Sequence, residues 1–208
     1  RNDKKYLVTA KHLFEKQGYP STTQIQIQKN GQKDTIDNKI YYHRDNQVDI
    51  AVIDTQYFEK FDFGKVRYSS KKSYFSQDMF MLGFPYGLEC DFNTNIGYPI
   101  PYMKKGILSG KYEKMMVIDG INNEGFSGGP VAYREYLEEG YSDDMYIAGI
   151  IHGYISNRIG VNNCDKNEIG YTTENSGLGL IYPIEYALEI IEDIEILKAK
   201  EKYYTNKI

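Results

Sequence analysis

The sequence predicts an all-β protein that ends in a single α-helix. Three observations support this prediction: polar and apolar residues alternate with period two, turn-forming residues are frequent, and helical spacing begins only near the end. The 208-residue chain contains 19 glycines and 21 tyrosines, which fits short strands joined by tight turns. Many short strands followed by one terminal helix indicate paired antiparallel barrels or a sandwich.

The strands are predicted in order along the chain. Residues 24–28 alternate polar and apolar side chains, which is typical of a half-buried antiparallel strand. The dipeptide at 30–31, Asn-Gly, supplies a tight turn into the next strand. Apolar segments predict the further strands 39–42, 48–53, 79–84, 115–118, 131–133 and 146–151.

Two surface segments are predicted between these strands, a long loop or irregular hairpin over 86–102 and a charged loop over 135–144, and the helix follows the last strand. Residues 86–102 lack clear periodicity and residues 135–144 are charged, so both could line a substrate groove. After Pro183, apolar residues recur at three- and four-residue steps, namely Ile184, Ala187, Leu188, Ile190, Ile191, Ile194 and Leu197. This spacing predicts one amphipathic helix over 184–204.

Composition excludes several classes of protein. Hydrophobic residues make up 41% and charged residues 26%, which excludes a disordered or fibrous chain. The net charge of −4 argues against a nucleic-acid binder, because such proteins need a clustered basic face. No apolar stretch approaches the ~18 residues of a membrane span. Neither nucleic acid nor a membrane is therefore an expected partner.

The two cysteines, Cys90 and Cys164, leave two interpretations open. They are too few for a disulfide scaffold and too isolated for a zinc site. They could form one bridge in an exported protein or remain two thiols in a reducing compartment. The sequence therefore leaves the localisation unknown.

A glycine-rich segment places a serine on a predicted tight turn. Residues 125–130 read G-F-S-G-G-P, with Ser127 between small neighbours. Such neighbours let backbone N–H groups approach a substrate carbonyl, as an oxyanion hole requires. Taken alone, the segment is equally an ordinary glycine-rich turn. The β-like segment that follows it differs from the helix that follows the nucleophile elbow of α/β-hydrolases.

Two earlier segments supply the partners that a serine nucleophile needs. Residues 7–12, L-V-T-A-K-H, end an apolar strand at His12, whose neutral imidazole could take the serine proton. Residues 48–53, V-D-I-A-V-I, place Asp49 in an apolar strand, where an unpaired carboxylate would be costly. An imidazole N–H is one partner for this carboxylate. Each residue alone also has a plain structural explanation, as a surface histidine or a carboxylate bonded to backbone amides.

Together the three segments resemble the chymotrypsin-like (trypsin-like) serine proteases, which carry T-A-x-H, D-I-A-[LV] and G-x-S-G-G-P in this order. Residues 82–87, 105–110 and 177–183 are similar to patterns of the bacterial high-temperature-requirement (Deg-type) peptidases. The resemblance implies two antiparallel six-stranded β-barrels of the chymotrypsin type and a C-terminal helix. The expected units are an N-terminal barrel over about 1–75, a C-terminal barrel over 76–183 and a helix over 184–204. No metal or organic cofactor is implied.

The resemblance also assigns roles. It implies a serine endopeptidase that acts on protein or peptide substrates through an acyl-enzyme on Ser127. His12 would be the general base and acid, Asp49 the orienting carboxylate, and the N–H groups of Gly125 and Ser127 the oxyanion hole. Only residues 1–6 precede the His12 segment, where the family has two strands. The first barrel is therefore expected to be incomplete, unless further N-terminal residues or a larger polypeptide supply the strands.

The incomplete first barrel keeps a second function open, that of a catalytically impaired protease-fold binding or regulatory module.

The resemblance also implies where the specificity pocket lies. Ile121 stands six residues before Ser127, where trypsin has an aspartate, so cleavage after Lys or Arg is not expected. The opposite wall is expected at residues 149–154, G-I-I-H-G-Y, which end at Tyr154.

The histidine in this wall has two possible directions. Glutamyl endopeptidases and related viral proteases carry a similar Gly-x-His-x-Gly run whose histidine binds Glu or Gln, but here the histidine falls one residue later. In strict strand register Ile151 would face the pocket and His152 would point towards Asp49, where chymotrypsin-like enzymes keep a serine. This arrangement favours an apolar pocket. A bulge would instead make His152 a reader of acidic side chains.

Overall fold

A computed structural model describes residues 4–29, 32–55, 57, 66–90, 97–137, 140–162, 164 and 168–205 of the chain. Within these residues the protein is mostly β-strand with one C-terminal α-helix, which confirms the predicted fold class. The described strands, β1 to β11, form two sheets, and helix α1 follows the last strand.

The first sheet is antiparallel, with the described strands in the order β1-β4-β3-β2. The strands are β1 (Tyr6–Thr9), β2 (Thr22–Lys29), β3 (Gln32–Tyr42) and β4 (Ala51–Asp54). Thr9, at the end of β1, lies opposite Ala51, at the start of β4. This pairing brings the residues just after β1 and those just before β4 to the same end of the sheet. The predicted strand 24–28 lies within β2, and the predicted turn at 30–31 lies outside the described residues.

A 3-10 helix over Lys11–Gln17 follows β1 and carries His12 in its first turn. It ends at Gly18, whose φ of 71° lies in the left-handed region that glycine adopts without steric cost. The Gly18 N–H donates to the Glu15 carbonyl at 2.9 Å. This 3-10 helix is therefore only a little over two turns long, and it lies next to the end of the first sheet.

The second sheet contains seven of the described strands, in the order β11-β8-β7-β6-β9-β10-β5. They are β5 (Arg67–Tyr68), β6 (Asp78–Gly83), β7 (Tyr102–Tyr112), β8 (Met115–Asp119), β9 (Pro130–Leu137), β10 (Gly140–Asn162) and β11 (Glu168–Pro183). Strand β10 also pairs with β11. The hydrogen-bonded pairs therefore connect six of these strands in a ring, while β5 adds to β10 in parallel.

One loop prediction in this sheet is wrong, and three strands have no counterpart among the predictions. The described residues of 135–144 are in strands and not in a loop, because β9 continues to Leu137 and β10 begins at Gly140. Charged side chains occur in this hairpin because its strands are exposed, so composition alone misreads it as a loop. Strands β5, β7 and β11 have no predicted counterpart. Strand β10 runs well beyond residue 151 to pair with β11.

The segment predicted as a long loop or irregular hairpin, 86–102, contains one isolated antiparallel bridge among its described residues, between Cys90 and Ile100. Cys90 N–H donates to the Ile100 carbonyl at 2.9 Å, so its two ends lie side by side, and residues 91–96 lie outside the described residues. Both cysteines are free thiols, with Cys90 half-buried and Cys164 exposed.

Helix α1 (Glu185–Thr205) packs its predicted apolar face between the two sheets. The buried cluster there contains residues of both sheets and the helix, among them Val48, Ile50, Val52, Ile150, Leu180, Ile184, Ala187, Ile190 and Ile194. Because such a core is close-packed, it fixes the sheets relative to each other next to Asp49. Among the described residues, no helix has the length and apolar character needed to cross a membrane.

Candidate active site

Asp49 lies just before β4 and uses both of its carboxylate oxygens. Oδ1 accepts the backbone N–H of His12 at 2.6 Å, and Oδ2 lies 2.6 Å from Nδ1 of the His12 ring. The Asp49 side chain is 12% exposed and the His12 side chain 33% exposed. The Lys11 N–H also donates to the Asp49 carbonyl at 3.3 Å. These bonds fix both the backbone and the ring of His12 on the carboxylate.

A second imidazole contacts the same carboxylate oxygen. Nδ1 of His152 lies 2.5 Å from Asp49 Oδ2. The His152 and His12 rings meet edge to face, with centroids 5.6 Å apart. The Tyr182 ring packs edge-on against His152, also at 5.6 Å, and its hydroxyl donates to the Gln47 carbonyl at 2.5 Å. The carboxylate therefore lies between two oriented imidazoles.

A β-bulge sets the direction of His152. Ile151 pairs with Ile181 and Gly153 pairs with Leu180, so His152 is an extra residue on β10. The strict register assumed from the sequence is therefore wrong at this point. The His152 side chain nevertheless points towards Asp49, the direction predicted with that register. Ile151 is fully buried in the apolar core of the second sheet.

The two imidazoles change the acidity of the carboxyl group. Burial favours the neutral form of Asp49, but the hydrogen bonds from His12 and His152 outweigh it and hold the pKa of Asp49 at about 2. The hydrogen bond to Asp49 raises the pKa of His12 above its ordinary value, against the opposing effect of burial. Near neutral pH Asp49 is a carboxylate, and His12 is a stronger base than an isolated imidazole.

Ser127 lies on a turn that depends on two glycines. Gly125 has φ of 91° and Gly128 has φ of 80°, in the region that glycine alone enters readily. The Gly128 N–H donates to the Ile151 carbonyl at 2.8 Å, which attaches the turn to β10. Ser127 Oγ donates to the His152 carbonyl at 3.1 Å. Within the described part of the chain, Ser127 Oγ makes no hydrogen bond to His12.

The turn that carries Ser127 touches the segment that carries His12. A Cβ atom at Gly128 would lie 2.2 Å from Thr9 Oγ1 and 3.1 Å from the Ala10 nitrogen. Only a residue without a side chain allows so close an approach. The two sheets therefore bring the Ser127 turn against the start of the 3-10 helix that carries His12.

Two backbone N–H groups beside the serine have no acceptor. Within the described part of the chain, neither the Gly125 N–H nor the Ser127 N–H donates a hydrogen bond. The Gly125 carbonyl is used, because it accepts the Phe84 N–H at 3.0 Å. Fixed donors without a protein partner are what an oxyanion hole requires.

The residues predicted for the specificity pocket occupy unlike environments. Ile121 is 57% exposed, and Tyr154 is also exposed. Sequence reasoning missed Asn122, which is buried and donates from Nδ2 to the Gly153 carbonyl at 2.8 Å. Asn175 in turn donates to the Asn122 carbonyl at 2.5 Å. These two bonds connect β10 and β11 to the segment that leads to Ser127. No sequence pattern distinguishes Asn122 from the other asparagines.

Among the described residues, Asp49 and the two histidines that contact it also form a group of three potential metal ligands. His12, Asp49 and His152 each offer one ligand atom, and the three atoms lie within 4.8 Å of one another. Imidazole nitrogen and carboxylate oxygen are ordinary zinc ligands.

Comparison with known proteins gives one family and a set of similar folds. A family profile described as the trypsin-like peptidase domain matches residues 1–135. Two structures of the HtrA-type protease AlgW, one with a tripeptide and one with a decapeptide, are similar with TM-scores of 0.53 and 0.55. Each is 17% identical and covers 93% of this chain. The match covers 53% and 49% of those chains, so this chain spans about half their length. No curated protein matches the sequence.

Proposed function

The chain belongs to the trypsin-like peptidase domain family, and from this we propose that it is a serine endopeptidase that cleaves protein or peptide substrates. The proposed nucleophile is Ser127, with His12 as general base and acid and Asp49 as the orienting carboxylate. The observation that carries the proposal is the contact of the Ser127 turn with the His12 segment, beside two backbone N–H groups that have no acceptor among the described residues.

In the acylation step Ser127 Oγ would attack the carbonyl carbon of the scissile peptide bond while its proton passes to His12 Nε2. The bond from His12 Nδ1–H to Asp49 leaves Nε2 as the unprotonated ring nitrogen. The oxyanion that forms would accept hydrogen bonds from the N–H groups of Gly125 and Ser127. His12 then returns the proton to the leaving amine, and a water molecule repeats the sequence to release the acid.

Ser127 has to change its hydrogen bond before it can act. Its hydroxyl donates to the His152 carbonyl, and a rotation about χ1 would redirect Oγ towards the histidine base. Catalytic hydrogen bonds are often long or misaligned without substrate and shorten in the substrate complex. The proposal therefore includes a serine rotamer change upon substrate binding.

The same hydrogen bond favours a second candidate function. A serine hydroxyl held by a main-chain carbonyl, rather than by its base, is what a catalytically impaired binding or regulatory module would contain. The bond between His12 and Asp49 argues for the peptidase, because a binding module has no need of an oriented base.

A fluorophosphonate probe separates the two functions, because it attaches to a serine Oγ only where a base activates that serine. We expect the label on Ser127, its loss in Ser127→Ala, and much slower labelling in His12→Ala. Ser109 is the matched control, since its Oγ also donates to a main-chain carbonyl, that of Val117 at 3.2 Å. Ser109→Ala should label like the wild type. A folded chain that binds peptides but never labels at Ser127 would support the binding module and contradict the peptidase.

A further inference from the structure

We propose that Asp49, His12 and His152 form a binding site for Zn²⁺ and that occupation of this site switches the peptidase off. The binding part stands on the geometry of the cluster alone. The regulatory part rests on the proposed function.

Three ligand atoms of suitable chemistry converge at one point. Asp49 Oδ2 lies 2.6 Å from His12 Nδ1 and 2.5 Å from His152 Nδ1. All three atoms lie within 4.8 Å of one another. Two nitrogens and one oxygen suit zinc, and three protein ligands leave its fourth position for water. Magnesium and calcium are disfavoured, because they prefer sets of oxygen ligands.

The atoms need only a small outward movement to hold the ion. Zinc binds nitrogen and oxygen at about 2.0–2.2 Å, so two ligands of one tetrahedral ion stand about 3.3 Å apart. Each imidazole would therefore move away from Oδ2 by less than 1 Å. The rings have room to do so, because His12 is 33% exposed and His152 is 36% exposed. These exposed sides also give the ion a path from solvent.

The surroundings of the cluster hold Asp49 in place for such a ligand set. Asp49 Oδ1 accepts the His12 backbone N–H at 2.6 Å, so Oδ2 is the oxygen left for the ion. The ring of Tyr182 supports His152 from the side. Partners of this kind orient metal ligands and contribute to metal affinity.

Binding of the ion would disable the base without removing any residue. A neutral imidazole carries one proton, and coordination through Nδ1 requires that proton to be on Nε2, which it reaches by exchange with water. No net proton is lost from a neutral ring. His12 Nε2, now protonated, could not accept the proton of Ser127. The inhibited state therefore follows from the choice of tautomer.

Binding is tested directly by isothermal titration calorimetry of the full chain with ZnCl₂. Cys90→Ser and Cys164→Ser are included in all samples, because free thiolates also bind zinc. We expect one ion per chain and at least a tenfold weaker zinc affinity in His152→Ser. Loss of a residue that only hydrogen-bonds to a metal ligand already lowers metal affinity about 10–100-fold, and loss of a ligand should cost no less. MgCl₂ should give no heat of binding. Equal zinc affinity of wild type and His152→Ser would overturn the proposal.

The third histidine provides an internal control for a second readout. His43 lies outside the cluster, with Nε2 3.1 Å from Glu189 Oε2 and Nδ1 accepting the Asp45 N–H at 3.0 Å. In ¹⁵N NMR of the histidine rings, zinc should shift Nδ1 of His12 and His152 and leave His43 unchanged. Shifts confined to His43, or no shift at all, would contradict the site even if a variant fails to fold.

Inhibition is then measured on peptide cleavage with and without ZnCl₂ and EDTA. We expect loss of cleavage at one bound ion per chain, recovery with EDTA, and a higher inhibitory zinc concentration in His152→Ser. Zinc binding to a chain that never cleaves peptides would refute the peptidase and leave the site intact. Cleavage that persists with the site filled would refute the inhibitory role.

Discussion

His152 Nδ1 lies 2.5 Å from Asp49 Oδ2, and this contact joins the segments of two different sheets. Asp49 precedes β4 in the first sheet, whereas His152 is the bulged residue of β10 in the second. The carboxylate that orients His12 is therefore held from both sides of the junction between the sheets. A change on either sheet should reach the candidate base through this one side chain.

Asp49→Asn tests the orienting role. Asp49 uses Oδ1 for the His12 backbone N–H and Oδ2 for the His12 ring. An uncharged amide has only one acceptor oxygen, so it cannot replace both oxygens or stabilise a positive imidazole as a carboxylate does. We therefore expect kcat to fall about 10⁴-fold with the fold retained. Steady-state kinetics on a peptide substrate measures the loss. Asp78→Asn is the control, because Asp78 pairs with Lys105 at 2.8 Å outside the site and should keep normal kcat. A loss of less than tenfold in Asp49→Asn would exclude the orienting role.

The pH profile of activity tests His12 as the base. His12 has to be neutral to accept a proton, and its hydrogen bond to Asp49 raises its pKa above the ordinary 6.5. With EDTA present, kcat/KM should therefore rise with pH and level off above a pKa higher than 6.5. The residual activity of Asp49→Asn should level off at a lower pH, because the bond that raises the pKa is lost. A profile that falls across this range would contradict the assignment.

Acid stability tests the contacts of Asp49. Its pKa of about 2 in the folded chain lies below the ordinary 3.8, so its contribution to stability is complete above about pH 4 and is lost as the pH falls through about 2. His152→Ala removes one hydrogen bond that lowers the pKa of Asp49, so the contribution of the Asp49 carboxylate to stability should be smaller in this variant. Thermal unfolding in EDTA between pH 2 and 6 should show a smaller drop in Tm for His152→Ala than for the wild type. Identical curves would mean that His152 does not stabilise the carboxylate.

The triad candidates could be predicted because each belongs to a short local segment. His12 follows an apolar strand within three residues, Asp49 stands two residues before one, and Ser127 lies in a glycine-rich turn. Each of these three local segments could be predicted from its neighbouring residues alone. The expectation that these segments meet came from family resemblance, not from composition or spacing.

The bulge at His152 could not be predicted in the same way. It depends on how β10 pairs with β11, a strand absent from the sequence prediction because its outer half is polar and exposed. Register is a property of two strands, so a single strand pattern leaves it undetermined. The buried role of Asn122 is hidden for the same reason, since its partner is a carbonyl on β10.

Gly128→Ala tests the contact between the Ser127 turn and the first sheet. The new Cβ would lie 2.2 Å from Thr9 Oγ1, and φ of 80° costs a non-glycine residue about 1–2 kcal/mol. We expect a lower Tm and a loss of about 100-fold in kcat/KM, since a misplacement of about 1 Å has this effect. Gly170→Ala is the matched control, because nothing lies within 4 Å of its Cβ position. Equal activity of both variants would show that the contact does not position Ser127.

Profiling on a peptide library tests the specificity pocket. The bulge does not free His152 to read acidic side chains, because its Nδ1 is engaged by Asp49. We therefore expect cleavage after medium aliphatic or aromatic residues. Ile121, six residues before Ser127, stands where an aspartate would favour Lys or Arg. His152→Ser should keep this preference while lowering the rate. Dominant cleavage after Glu or Gln that disappears in His152→Ser would assign the pocket to His152 Nε2, and cleavage after Lys or Arg would contradict both arrangements.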